Sequence, residues 1–345
     1  MFSQESDDDF EELLLVLLDE ENRIAVPPHL PRFILDVTTL DEETFFSKFR
    51  FTLPEVRRLL VVLSFPDTVS THRGVSSSSL FCLCVLLHRL AYPTRWIDLQ
   101  FFFGRDKSSL HALFYWAVDH IYNQFHHLLY FDHEAIVPLL PYFAERISTK
   151  GSPYDRCFGF IDGTIRSICR PSVDQQEFYN GHDRVHALKF QSVVSPDGII
   201  RHFFGPVSGR HHDSYILAES ALLDTLSQHC QQHDGTWFHL YGDAGYPLRG
   251  YLLTPFHVAA LTADEQDLNV RMSKVRESVE WGFHLLVSNW AFLDFSKNNK
   301  ILLSPLDRLY AIAALLTNMK TCLQRNQISY FFECIPPSLE EYLHR

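Results

Sequence analysis

Three acidic residues stand beside apolar segments, where an unpaired carboxylate is destabilising. Asp162 and Asp243 each follow a short apolar run of strand pattern and precede a glycine-containing turn, and Glu280 stands in a helical pattern before Trp281. Burying an acid in such surroundings is unfavourable unless the acid is paired or binds a metal. Mg²⁺ and Mn²⁺ are hard cations that prefer oxygen ligands. The three acids therefore predict a divalent-metal site.

A fourth acid, Asp213, follows Arg210, His211 and His212 and begins a segment of helical pattern. Three roles are open for it: a metal ligand, a residue that positions a ligand, or a helix N-cap, where Asp is favoured. The two histidines would also suit zinc, but histidines beside an acidic metal site more often contact phosphate or lie on the surface. The favoured site is therefore one of carboxylates.

Carboxylates on strands and a helix suit phosphodiester chemistry. Two divalent ions about 4 Å apart activate a water or a 3′-hydroxyl and stabilise the leaving oxygen. The elements that would position the acids begin near residue 156. They are a strand up to residue 161, strands Val185–Val194 and 199–204 joined by a turn at 195–198, a helix at 214–227, a strand at 237–241 and a helix at 273–286. This order predicts an α/β fold with a mixed sheet.

Residues 40–150 have a helical pattern. Two of the predicted helices, 95–103 and 107–121, are separated by Gly104, Arg105 and Asp106, of which the glycine can end a helix and the aspartate can cap the next one. This is the layout of a helix-turn-helix, whose second helix presents its first residues to the major groove of DNA. Plain packing of a helical hairpin is the alternative.

The charge of the chain is uneven. The formal net charge is −12, which argues against a nucleic-acid partner when taken as a whole. However, residues 1–22 contain nine acids and no Lys or Arg, whereas residues 45–130 contain nine Lys or Arg against five acids. A locally basic surface is compatible with this distribution. The apolar run at 13–18 is far shorter than the roughly 20 residues that span a bilayer, so no membrane contact is expected.

Four motifs occur in a fixed order within about residues 156–290: FGFIDGTI, FYNGHDRVHALKFQSVVSPDGIIRHFFGPVSGRHHDS, LYGDAGYP and NVRMSKVRESVEWGF. In this order they resemble Harbinger transposases and the nucleases derived from them, in the DDE superfamily of endonucleases. The resemblance implies an RNase H-like core, cleavage of DNA strands that depends on Mg²⁺ or Mn²⁺, and a nuclear site of action. It also implies a separate Myb-like DNA-binding partner. A domesticated DNA- or protein-binding factor with an unused nuclease is the alternative.

The resemblance places the family's acids on Asp162, Asp213, Asp243 and Glu280 as the metal-binding set. In an RNase H-like topology the acids lie on the first strand, the fourth strand and a late helix, which selects Asp162, Asp243 and Glu280 as catalytic. Basic and polar residues near these elements are candidates for DNA contact: Arg105, Lys107, Ser108, Arg184, Lys189, Arg210 and Arg276.

The expected organisation has four parts. They are an acidic tail at 1–32, a helical region at 40–150 with the candidate helix-turn-helix, an RNase H-like nuclease domain at 156–295, and a C-terminal helix and tail at 300–345 that pack on the core. The sequence does not indicate an oligomeric state.

Overall fold

The structure is a computed structural model that describes residues 34–257, 260–297, 299–301 and 303–344. For residues 277–281 it describes the backbone and not the side chains. The predicted acidic tail therefore lies outside the described residues. Within the described ranges, no helix combines the length and the apolar character needed to cross a bilayer.

The first half of the described chain is helical and contains one small hairpin. Its helices are α1 (Glu42–Phe49), α2 (Leu53–Val62), α3 (Ser79–Ala91), α4 (Trp96–Phe103), α5 (Lys107–Phe125), α6 (His133–Ile136) and α7 (Leu140–Thr149). Strands β1 (Thr68–Ser70) and β2 (Ser76–Ser78) pair antiparallel. Three of the serines before α3 form β2. The last of these, Ser78, caps α3 by accepting a hydrogen bond from the amide of Phe81.

Helices α4 and α5 form the hairpin that the sequence predicts. Gly104 ends α4 in the left-handed conformation, with φ at 67°. The side chain of Asp106 caps α5 by accepting a hydrogen bond of 2.8 Å from the amide of Ser109. Both residues are therefore used as their chemistry favours, although this geometry fits a DNA-binding hairpin and a purely structural one equally.

The second half is built on a six-stranded mixed sheet. Its strands are β3 (Cys157–Ser167), β4 (Tyr179–Asn180), β5 (Val185–Val194), β6 (Ile200–Ser208), β7 (His239–Tyr241) and β8 (Leu252–Leu253). Strand β3 lies between β5, which is antiparallel to it, and β7, which is parallel. On the outer sides β6 pairs with β5 and β8 pairs with β7. Without the short β4, the order is third, second, first, fourth and fifth strand, which is the α/β arrangement expected of an RNase H-like core.

Helices cover both faces of this sheet. They are α8 (Gln175–Phe178), α9 (Asp213–Glu219), α10 (Leu222–His229), α11 (Ala263–Asn289), α12 (Leu306–Gln324), α13 (Gln327–Phe331) and α14 (Leu339–Leu343). The single helix predicted at 214–227 is wrong, because Ala221 adopts φ of 53° and separates α9 from α10. The helix predicted at 273–286 is longer than expected. A capping box of Thr262 and Glu265 starts it ten residues earlier.

The helical half and the sheet share one continuous apolar core. Trp290, at the end of α11, lies near Phe51 of the helical half and donates a hydrogen bond of 3.0 Å to Thr317 of α12. Tyr310 of α12 stacks on Phe190 of β5 with ring centroids 4.2 Å apart. The sheet is thus covered by residues from before and after it in the chain, while the predicted domain boundaries stay predictions.

Candidate active site

Asp162 lies inside β3 and not at its end. The strand continues to Ser167, and Asp162 pairs in register with Ser192 of β5. The expected turn after Asp162 is therefore wrong. The Asp162 side chain is 18 % exposed, and its Oδ1 accepts a hydrogen bond of 3.1 Å from Arg276 of α11. A central strand and a long helix thus fix the first acid from two directions.

Asp243 reaches the same region from the neighbouring strand. Strands β3 and β7 run parallel with Phe160 beside Tyr241, and Asp162 and Asp243 each come two residues after this pair. Adjacent strands are about 4.8 Å apart, so equal offsets bring the two acids close together. The Asp243 carboxylate accepts a hydrogen bond of 2.9 Å from the amide of Gly245, which fixes its direction after the strand ends.

The proximity of the two acids has an electrostatic consequence. The pKa of Asp162 is raised to about 6, mainly by burial; Arg276 lowers this pKa, and the negative charge of Asp243 raises it. Burial disfavours the charged form of a carboxyl group, and so does a neighbouring like charge. A carboxylate in this position gains from a nearby cation, as a metal ligand would.

Asp213 approaches the site from the other face of β3. A Cβ at Gly163 would lie 2.4 Å from Asp213 Oδ1, and a Cβ at Gly245 would lie 3.0 Å from Asp213 Oδ2 and 3.2 Å from Asp243 Oδ1. Successive residues of a strand point to opposite faces, so Asp162 points away from the face that Asp213 covers. The Asp213 carboxylate therefore packs between the two glycines, beside Asp243. Gly163 is explained by this close approach and not by a turn.

Lys189 holds Asp213 in this position. Its Nζ lies 2.9 Å from Asp213 Oδ1, and the lysine side chain is 9 % exposed. Asp213 is the first helical residue of α9, and the N-cap position is taken by His212. The N-cap role considered for Asp213 is therefore wrong. Lys189 was expected on a basic edge that faces DNA, but it is buried and its charge is used inside the protein.

The hydroxyl of Tyr246 lies among these acids. Tyr246 is 4 % exposed, and its oxygen would be 3.5 Å from a Cβ at Gly163. Burial raises the pKa of Tyr246 well above its usual value, and the charges of Asp213, Asp162 and Asp243 raise it further. Its hydroxyl has no hydrogen-bond partner within the described part of the chain. The sequence analysis did not select this tyrosine, although it stands three residues after Asp243.

The donors present fit a hard divalent cation. In the ranges that the structure describes, no group of three or more His, Cys, Asp or Glu side chains is arranged to hold a metal. Glu280 belongs to α11, but its side chain is not among the described ones. Mg²⁺ usually binds proteins through one or two carboxylates and keeps several waters, which Asp162 and Asp243 can supply. Asp213 is neutralised by Lys189, and this pairing favours a positioning role for it.

Arg276 does not lie free beside DNA, as the sequence analysis had allowed. It was expected among the residues that contact DNA. The ion pair in the structure joins it to Asp162. Its guanidinium therefore acts as an internal counter-charge for Asp162.

The remaining candidate DNA contacts lie in different surroundings. Arg105 donates a hydrogen bond of 2.7 Å to the carbonyl of Ser76, and Arg210 pairs with Glu177 at 2.9 Å. Ser108 and Arg184 are exposed, and Lys107 is half-buried at the start of α5. Among the described residues, none of these hydrogen bonds and ion pairs joins the start of α5 to the acids.

The sheet has the strand order expected of an RNase H-like core, and its adjacent parallel strands β3 and β7 lead to Asp162 and Asp243. Residues 161–318 match the family described as DDE superfamily endonuclease. This segment of the chain is similar to that family, and it includes β3 from Ile161 onward, the four acids and most of α12. Comparison with curated proteins and with solved structures finds no match.

Proposed function

We propose that the protein cleaves DNA phosphodiester bonds in a reaction that depends on Mg²⁺ or Mn²⁺. The observation that carries this proposal is the convergence of Asp162 and Asp243 from adjacent parallel strands. The negative charge of Asp243 raises the pKa of the half-buried Asp162, so a nearby cation would favour the charged form of Asp162. The match of this segment to DDE superfamily endonucleases supports the same chemistry.

In this proposal Asp162, Asp243 and Glu280 hold the metal. A bound divalent ion would activate a water or a 3′-hydroxyl and neutralise charge on the leaving oxygen of the phosphodiester. If Asp162 bound a cation, Arg276 would lose its carboxylate partner and its guanidinium could bind a phosphate oxygen. Lys189 holds Asp213 in place through their ion pair, and Asp213 in turn packs against the segment that carries Asp243.

The finer assignments rest on the Harbinger-like motifs. We place the protein among Harbinger-like nucleases that act in the nucleus with a Myb-like DNA-binding partner. The exposed start of α5 supplies the chain's own contact with DNA through Arg105, Lys107 and Ser108. Lys107 is half-buried and Ser108 exposed at this end of the helix, where the amide groups and the helix dipole also favour phosphate.

A nicking assay on supercoiled DNA tests the activity. We expect Asp162→Asn and Asp243→Asn to lose at least a hundredfold in Mn²⁺-dependent cleavage, because each removes the charge of a metal ligand but keeps its shape. Asp224→Asn is the matched control, since Asp224 is an exposed acid on α10 that belongs to none of the site's ion pairs. Full activity in both acid variants would contradict the proposal, as would cleavage that persists without metal.

A further inference from the structure

Tyr246 is a buried residue of the site that the proposed chemistry does not use. Its side chain is 4 % exposed, so the hydroxyl has left bulk water. A buried hydroxyl without a hydrogen bond is destabilising by about 1–3 kcal/mol. Because the described residues offer this hydroxyl no hydrogen-bond partner, burying it lowers the stability of the folded protein.

The position of the hydroxyl points to what it binds. It lies on the Gly163 face of β3. A Cβ built on Gly163 would lie close both to this hydroxyl and to Asp213 Oδ1. That oxygen is already paired with Lys189 at 2.9 Å. The charges of Asp213, Asp162 and Asp243 all act on the Tyr246 oxygen, so the hydroxyl lies within reach of the field of all three carboxylates. A neutral phenol among three acids acts as a hydrogen-bond donor.

We propose that Tyr246 is a positioning residue of the metal site, whose hydroxyl holds a water of the hydrated divalent cation. This inference rests on the proposed function, because it requires the proposed metal. Asp162 points to the other face of β3, and Asp243 is the ligand that lies beside Asp213 on the side of the hydroxyl. Mg²⁺ and Mn²⁺ sites with few protein carboxylates keep several waters. Residues that orient such outer groups typically contribute 10- to 100-fold to metal affinity.

The same arrangement explains the small residues around the tyrosine. A Cβ at Gly242 would lie 2.8 Å from the Tyr246 ring, and one at Gly163 would displace Asp213 and approach the hydroxyl. The backbone amide of Tyr246 is also held by the carbonyl of Asp243 at 3.3 Å. The ring is therefore fixed by the turn that fixes Asp243, and the hydroxyl cannot turn to solvent.

Tyr246→Phe separates this role from a structural one. We expect Mn²⁺ affinity, measured by calorimetry on the full chain without DNA, to fall on the order of tenfold. In EDTA we expect the urea midpoint of the variant to equal or exceed that of the wild type, because the hydroxyl that is removed has no partner. A structural tyrosine would lower the midpoint and leave the metal affinity unchanged.

Tyr310→Phe is the matched control, because it also removes a buried hydroxyl. The Tyr310 hydroxyl donates a hydrogen bond of 2.8 Å to the carbonyl of Leu293, so this variant should lose stability and keep its Mn²⁺ affinity. The inference is overturned if Tyr246→Phe binds Mn²⁺ like the wild type, if it fails to fold, or if Tyr310→Phe weakens Mn²⁺ equally. Wild-type protein that binds no Mn²⁺, or Asp162→Asn that binds it unchanged, would instead remove the metal site itself.

Discussion

At the scale of single residues, basic side chains of the protein already compensate part of the negative charge of the site. Asp162 faces Arg276 and Asp213 faces Lys189, so two of the described acids have internal cations. Asp243 has a backbone amide instead. If the proposed divalent ion binds, it would compete with Arg276 for Asp162. Binding of the ion would then free the Arg276 guanidinium to contact phosphate.

The raised pKa of Asp162 predicts how the metal-free protein responds to pH. Its pKa is about 6 in the folded state, above the value of about 3.9 in an unfolded chain. Between these values the folded state binds more protons, so the stability from this group is complete below pH 4 and is lost as the pH rises to 6. A shift of this size corresponds to roughly 3 kcal/mol.

We therefore expect Asp162→Asn to flatten the fall in unfolding free energy between pH 4 and 6.5. Urea titrations in EDTA at several pH values would measure it. Asp224→Asn should keep the wild-type slope, because that acid is exposed. An identical slope in the wild type and in Asp162→Asn would show that another group is responsible.

The residues of the site differ in how far the sequence revealed them. Asp162 and Asp243 could be predicted as site residues, because an acid beside an apolar run is unfavourable unless it is paired or binds a metal. The strand end expected at Asp162 was wrong because Gly163 reads as a turn residue, whereas its lack of a side chain serves the approach of Asp213. The ion pair of Lys189 with Asp213 and the position of the Tyr246 hydroxyl could not be predicted from the sequence, since both depend on contacts between segments distant in the chain.

At the scale of elements, apolar periodicity identified the strands well and the helix limits less well. Strand β5 has the predicted bounds, Val185–Val194, because a buried run flanked by turns leaves little freedom. The early turns of α11 were missed, since residues 263–271 are polar and mostly exposed. The capping box that starts this helix was present in the sequence. The break at Ala221 had no such signal, because alanine rarely adopts positive φ.

The helical hairpin of α4 and α5 gives a prediction at the same scale. If the start of α5 contacts DNA, then Lys107→Ala lowers affinity for duplex DNA and reduces the salt dependence of binding by about one counterion. Fluorescence anisotropy in EDTA over a range of salt concentrations would measure both. Arg57→Ala, at an exposed cation on α2, is the comparison. Unchanged affinity and slope in Lys107→Ala would leave α4 and α5 as packing elements only.

At the scale of the whole molecule, the acidic site depends on residues far from it in the chain. Trp290 ends the helix that carries Arg276, and it is fully buried. Its ring lies 6.3 Å from Phe51 and its nitrogen bonds Thr317. The helical half, α11 and the C-terminal helix therefore meet at one side chain. A change there is transmitted to the position of α11 against β3.

This continuity predicts a single cooperative unfolding transition. We expect urea to unfold the wild type with coincident curves by far-ultraviolet circular dichroism and by tryptophan fluorescence. Trp290→Ala should lower the unfolding free energy by about 3–5 kcal/mol, as the loss of a large buried ring does, and should move the circular-dichroism curve as one transition. Phe101→Ala, at a residue that is 56 % exposed, should leave that curve in place. Two separated transitions in Trp290→Ala would mean that the helical half and the sheet fold independently, and the acids would then be positioned by the sheet and α11 alone.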